Sequence, residues 1–165
     1  MGTPLRELLI IRHAKSDWSD DSLEDFDRPL SDKGKKQACK MGHWLAEHDL
    51  IPDLIIASPA QRAQQTLSRM TRHWDTKPDI IEESRLYEAD LDTLLDIVRH
   101  LPDRHRIAIV GHNPGLEDLL GWLTGNNEDG RLSTCAIAHL ILPGDLSQLN
   151  AGEAKLTQKI TPKSA

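Results

Sequence analysis

The stretch LLIIRHAKSDW, Leu8–Trp18, opens with four consecutive apolar residues and then stops on an arginine and a histidine. A short continuous apolar run is the mark of a strand buried on both faces, as strands of a parallel sheet are. In open α/β sheets, ligands sit beyond the carboxyl ends of the strands. Arg12 and His13 therefore stand where such a sheet would do its chemistry.

Outward from this stretch, strand and helix patterns alternate. Ser31 is read as the cap of a helix in which Ala38, Met41, Leu45 and His48 recur at helical spacing beside Trp44. Asp53–Ala57 is a second buried strand, and Ser58-Pro59 supplies a cap and a first-turn proline. The helix that follows faces inward through Ala60, Ala63, Leu67, Met70 and Trp74. A short strand at Asp79–Glu82 precedes a helix striped by Leu91, Leu94, Leu95, Val98 and Leu101. Arg106–Val110 is another buried strand, Asn113-Pro114 repeats the cap-plus-proline pattern, and Leu116, Leu119, Leu120 and Leu123 line the next helix. Ala136–Leu142 and Lys155–Ile160 read as edge strands. This order predicts a three-layer α/β/α sandwich with a mostly parallel central sheet. Residues 19–27 read as an acidic solvated loop, and residues 125–134 and the extreme C-terminus as mobile.

Length and composition set the outer bounds. A chain of 165 residues fits one domain, 1–165, with no lid domain. No stretch reaches the ~20 apolar residues of a membrane span, the start is too short for a signal-peptide core, and Arg6 occupies the position where myristoylation of Gly2 needs Ser or Thr. The expected home is the cytoplasm. Cys39 and Cys135 are isolated, giving neither a disulfide framework nor a zinc spacing, and read as small buried hydrophobes. Twenty Lys and Arg against 26 Asp and Glu give a formal net charge of -6, which argues against nucleic acid as the main partner. An anionic ligand needs local positive charge, and three strand ends supply it: Arg12 and His13, Ser58 to Arg62, and Gly111-His112-Asn113. The helices expected at Pro59 and Pro114 add backbone N–H groups there. Together these form an anion site suited to phosphate.

Four segments carry a resemblance. Arg12-His13-Ala14-Lys15-Ser16, Pro29-Leu30-Ser31-Asp32-Lys33-Gly34, Ser58-Pro59-Ala60-Gln61-Arg62-Ala63-Gln64-Gln65-Thr66 and Gly111-His112-Asn113-Pro114-Gly115 resemble the histidine phosphatase (phosphoglycerate-mutase-like) superfamily. In compactness and motif form they are most similar to its SixA-type phosphohistidine phosphatase branch. The resemblance runs from Leu8 to about Leu156. It implies that His13 is the nucleophile, that Arg12, Arg62 and His112 form the phosphate pocket, and that Glu88, just past the third strand, is the acidic residue. One departure is Ala14, where the family often has Gly.

The chemistry agrees with these roles. A neutral imidazole attacks phosphorus near neutral pH, and the phosphohistidine formed is labile to water. In a largely dissociative phosphoryl transfer the charge lies on the equatorial oxygens, which planar arginine forks match better than lysine does. His112 is read as a charged donor to the same oxygens, with Lys15, Ser16, Ser58 and Asn113 as further substrate contacts. Asp17 competes with Glu88 as general acid. The remaining histidines, His43, His48, His73, His100, His105 and His139, read as structural, and Trp18 as packing its loop. No cofactor or metal is expected. A metallohydrolase using His13, His112 and Asp17 would turn two arginines toward a cation. A mutase would need a lid to shield its phosphoenzyme from water. The expected activity is thus a phosphatase with an open site, and the SixA resemblance implies protein phosphohistidine as its substrate. A small-molecule phosphomonoesterase and a non-catalytic phosphate-binding module are the alternatives. The binder has no need of His13. The expected partner is a phosphorylated protein or a small phosphoester, with no nucleic acid and no membrane, and the oligomeric state is left open.

Overall fold

The computed structural model describes residues 6–165; the myristoylation expectation at Met1-Gly2 lies outside them. A six-stranded sheet has the order β3-β2-β4-β1-β5-β6, formed by β1 (Arg6–Arg12), β2 (Leu54–Ala57), β3 (Asp79–Glu82), β4 (Arg106–Gly111), β5 (Ile137–Leu142) and β6 (Lys155–Ile160). The β1–β4, β4–β2 and β2–β3 pairs are parallel, and β5 and β6 complete the sheet antiparallel. Four helices cover it: α1 (Asp32–Glu47), α2 (Gln61–Thr71), α3 (Leu91–Arg99) and α4 (Gly115–Thr124).

The apolar run that opens the chain divides between the two faces. Leu8 and Ile10 join Ile107 and Ile109 under Leu94 and Val98 of α3 and Leu116 and Leu119 of α4. Leu9 and Ile11 join Ala108 and Val110 under Ala38, Met41 and Leu45 of α1 and Ala63, Leu67 and Met70 of α2. Successive strand residues point to opposite faces, so a run buried on both sides must be apolar throughout. The predicted sandwich is the observed architecture. Among the described residues, no helix is long and apolar enough to cross a membrane.

Several local expectations are corrected. β5 is internal, hydrogen-bonded to both β1 and β6, so only β3 and β6 are edges. Ser31 does cap α1, its hydroxyl accepting the Gly34 N–H at 3.0 Å. Ser58 does not cap α2, whose N-cap is Ala60, because the Ser58 hydroxyl is engaged by His112 and the Ala60 N–H. Asn113 does not cap α4, which begins after Pro114, because its side-chain amide donates to the Leu132 carbonyl at 2.8 Å. His48 is the exposed C-cap of α1 rather than part of its inner face. Residues 125–134, read as mobile, are anchored at one point, where Glu117 accepts the Leu132 N–H at 2.7 Å and Leu132 is buried in the core. The C-terminus closes a turn, with Ala165 N–H bonded to Thr161 O.

Candidate active site

Because β2, β4 and β1 are parallel neighbours, their carboxyl ends meet along one edge. Ser58 N–H bonds to Val110 O and His13 N–H to Gly111 O, stitching the three exits together. The loop after β1 is pressed onto the start of α1 at Gly34, where a Cβ would lie 2.0 Å from the Lys15 carbonyl oxygen. Only glycine admits this approach. From the other side, the buried Thr66 hydroxyl accepts the Ala14 N–H at 2.9 Å and donates to the Arg62 carbonyl at 2.7 Å. The loop carrying His13 is thereby fixed to the first turn of α2.

A cavity of about 540 Å³ opens here, lined among others by Arg12, His13, Arg28, Arg62 and His112. The His13 ring has Nδ1 2.7 Å from the Ala14 carbonyl. A carbonyl only accepts, so Nδ1 carries the proton and Nε2 keeps a free lone pair. Burial, then the positive charge of Arg62, Arg12 and Arg28, lowers its pKa to about 4 despite the Ala14 bond. His13 is therefore a neutral imidazole at physiological pH. The His112 ring lies 5.1 Å from that of His13, centroid to centroid. Its Nε2 is 2.7 Å from Ser58 Oγ, while Nδ1 is buried without a protein partner. The Ser58 hydroxyl already accepts the Ala60 N–H at 3.2 Å and has no other acceptor among the described residues, so it donates to Nε2. The Nδ1–H is left as an unspent donor. Burial and the His13 and Arg62 charges push the His112 pKa down to about 3. In the empty pocket it is thus neutral; the charged-donor role expected of it belongs to the anion-bound site, where a bound anion's field favours the protonated ring.

Two residues that the sequence did not single out complete the pocket. Arg28, buried at the end of the acidic loop, donates to the Ser16 hydroxyl and to Asp25 Oδ1 at 2.6 Å, with its guanidinium 3.6 Å above the Trp18 ring. Asp25 also takes Arg62 Nη2 at 3.0 Å and the Tyr87 hydroxyl at 2.6 Å. Tyr87, then Arg28 and Arg62, hold its carboxyl far below the ordinary range, so it is ionised and cannot serve as a general acid. The Tyr87 pKa is pushed up to about 12 by burial and by Asp25. Residues 19–27, read as merely solvated, thus supply the counter-charge for two buried arginines. The available signal was Arg28 itself, the first cation after the acidic run.

Of the remaining candidates, Lys15 and Ser16 line the pocket, Lys15 by an exposed side chain. Asn113 lines it too, with its Oδ1 buried and unpartnered. Ser58 lies behind His112. Glu88 is absent from this cavity and lines an adjoining one of about 460 Å³, which shares Arg62, His112 and Asn113 with it. Asp17 accepts the Ser19 N–H at 2.8 Å and lines neither. The six histidines read as structural also line neither; His139 is buried with Nε2 2.6 Å from Glu7 Oε1. Among the described residues, no three His, Cys, Asp or Glu side chains are grouped so as to hold a metal. Cys135 is buried with its pKa raised to about 12 by burial.

The sequence profile of the histidine phosphatase superfamily (branch 1) matches residues 8–97, more than half the chain. The chain belongs to that superfamily. Among similar solved structures, the SixA protein of Agrobacterium tumefaciens, assigned as a phosphohistidine phosphatase, is 26% identical. It superposes with a TM-score of 0.84 over 98% of this chain and 100% of its own. The SixA protein of Nakamurella multipartitia, with the same assignment, gives 25% identity and a TM-score of 0.84 over 98% of this chain and 99% of its own. An uncharacterized chloroplastic protein of Arabidopsis thaliana is 33% identical over 145 residues, 82% of this chain and 66% of that protein. The histidine phosphatase superfamily and its SixA-like members support a phosphatase or mutase that works through histidine.

Proposed function

We propose that this histidine phosphatase removes phosphate from protein phosphohistidine, with His13 as nucleophile. The observation that carries the proposal is the state of His13: neutral, with Nδ1 committed to Ala14 O and Nε2 free, among three arginines. Nε2 attacks phosphorus as the bond to the leaving nitrogen breaks, and water then cleaves the His13 phosphoramidate, releasing orthophosphate and free His13. Arg12, Arg28, Arg62 and His112 Nδ1–H bind the equatorial oxygens, each donor worth about 10²- to 10³-fold in turnover. The leaving side supports nitrogen over carboxylate-bearing esters. The adjoining cavity carries Glu88, Asp90 and Asp118, which repel an anionic leaving group and accommodate an imidazole. Glu88 is proposed as the proton donor where the leaving group needs one.

The reading of one domain without a lid is supported by the short connections from α2 to β3 and from β3 to α3, residues 72–78 and 83–90, neither long enough to hold a lid domain. The test is brief incubation with labelled phosphohistidine peptide, a quench that avoids acid, and detection of labelled protein. Label is expected on the wild type and absent from His13→Ala. Label at the wild-type level on His13→Ala overturns the nucleophile assignment, and turnover of small alkyl phosphates far above that of phosphohistidine overturns the substrate.

A further inference from the structure

Residues 17–27 hold six carboxylates, Asp17, Asp20, Asp21, Glu24, Asp25 and Asp27, and no Lys, Arg or His. Among the described residues only Asp25 of these is in an ion pair, and it is consumed within the pocket by Arg28 and Arg62. The same short segment exposes three large apolar side chains beside the pocket mouth: Trp18 at 71%, Leu23 at 40% and Phe26 at 39%. Trp18 and Leu23, with Asp20 and Asp21, wall a hollow of about 230 Å³. It shares Trp18 and Arg28 with the phosphate cavity. The cation in its floor is already neutralised by Asp25.

Apolar surface interleaved with unpaired carboxylates at the mouth of a cationic pocket has a restricted set of complements. Nucleic acid, an anionic lipid surface and a second copy of this chain, itself at formal charge -6, all meet repulsion. A basic side chain is attracted by the carboxylates: its aliphatic stem packs on Leu23 and the Trp18 edge that Arg28 leaves open, and its cation lies beside Asp20 and Asp21. We infer that this loop is the docking surface for the substrate polypeptide, taking a segment that places a Lys or Arg and an apolar residue next to the phosphorylated side chain. The inference rests on the proposed protein phosphatase activity and adds the class of sequence it selects. The attraction acts between exposed charges, so it weakens as salt rises, and it acts on binding rather than on the chemical step.

The experiment compares equal-length phosphohistidine peptides flanked by Lys and Leu, by Ser, or by Glu, with phosphoramidate as a substrate that has no flanks. The wild type should prefer the Lys/Leu peptide over the Glu peptide about tenfold in kcat/KM, through KM. Asp21→Lys with Glu24→Lys, two residues whose side chains make no hydrogen bond or ion pair among the described residues, should erase that preference and leave phosphoramidate turnover unchanged. Leu23→Ser should weaken only the Lys/Leu peptide, and guards against misfolding of the charge-reversed variant. Equal rates on all three peptides, or a parallel loss on phosphoramidate, overturns the docking surface while leaving the activity intact. If wild-type protein turns over none of these substrates, the activity fails instead. Calorimetric titration with the unphosphorylated peptides then decides the docking alone: tighter binding of the Lys/Leu peptide upholds it and equal affinity overturns it.

Discussion

Replacing Asp25 with asparagine should make the empty protein less stable and its anion site tighter, two effects of opposite sign from one charge. Asp25 bridges Arg28, Arg62 and the Tyr87 hydroxyl, and both guanidiniums are buried. Removing one partner of a fully buried pair costs about 3–5 kcal/mol. Here the Asp25 side chain is 49% exposed, so water takes over part of its role, and about 1–3 kcal/mol is the reasonable scale. For a chain of this size that is roughly 3 to 9 °C in Tm. The freed arginines then face the ligand without a competing carboxylate, so orthophosphate or vanadate should bind about tenfold tighter, ~1.4 kcal/mol. Saturating anion should therefore raise Tm more in the variant than in the wild type. The folded pKa of Asp25 lies below its unfolded value, so its contribution is full above about pH 4 and is lost as pH falls further. The Tm gap between the two proteins should close in acid. Thermal scans across pH, with and without anion, and calorimetry with vanadate read all of these quantities. Anion affinity that falls along with stability would refute the reasoning, since Asp25 would then be positioning the arginines rather than competing with the ligand.

Other perturbations have equally definite expected outcomes. His13 and His112 are held near pKa values of about 4 and 3. Stability should be full above about pH 6.5, where unfolded histidine is also neutral, and fall between there and pH 4, while kcat/KM keeps its neutral nucleophile down to about pH 4; pH-dependent Tm and initial rates check both. Glu88→Gln should slow alkyl phosphates by about 10²- to 10⁴-fold and phosphohistidine far less, because imidazole leaves without strong acid help; equal losses would make Glu88 an orienting residue. Gly34→Ala forces a methyl into the Lys15 carbonyl and should cost about 3 kcal/mol or more, measured by denaturant titration, with loss of activity if α1 is displaced from the His13 loop.

What could be read from the sequence was whatever is local and periodic. The buried strands at Leu8, Leu54 and Arg106, and the stripes of α1 and α3, are fixed by continuous apolar runs and helical spacing, and the exits of those strands gave Arg12, His13, Arg62 and His112. Two of the errors share one cause: a polar side chain near a helix start was assigned to the backbone beside it. Ser58 and Asn113 instead answer to His112 and Leu132, 54 and 19 residues away. Asp25 was invisible for the same reason, since a carboxylate in an acidic run reads as solvated until the fold brings Arg62 against it from 37 residues away. The internal place of β5 follows from its pairing with β1, a tertiary choice that six largely apolar residues interrupted by His139 do not encode. Glu88 was located only as far as its strand end; that it lines the adjoining cavity rather than the one holding Arg12 and His13 depends on which cavity its loop borders.

The stacking of Trp18 on Arg28 gives the molecule an optical gauge of its own pocket. Trp74 is buried and Trp44 and Trp122 are partly covered, so the most solvent-exposed indole is the one lying on a phosphate-pocket arginine. Any oxyanion that draws Arg28 toward itself alters the charge 3.6 Å below that ring, and with it the long-wavelength part of the emission. Filling and emptying of the site can then be followed in real time on unlabelled protein, without a chromogenic substrate and before any bond to phosphorus is broken.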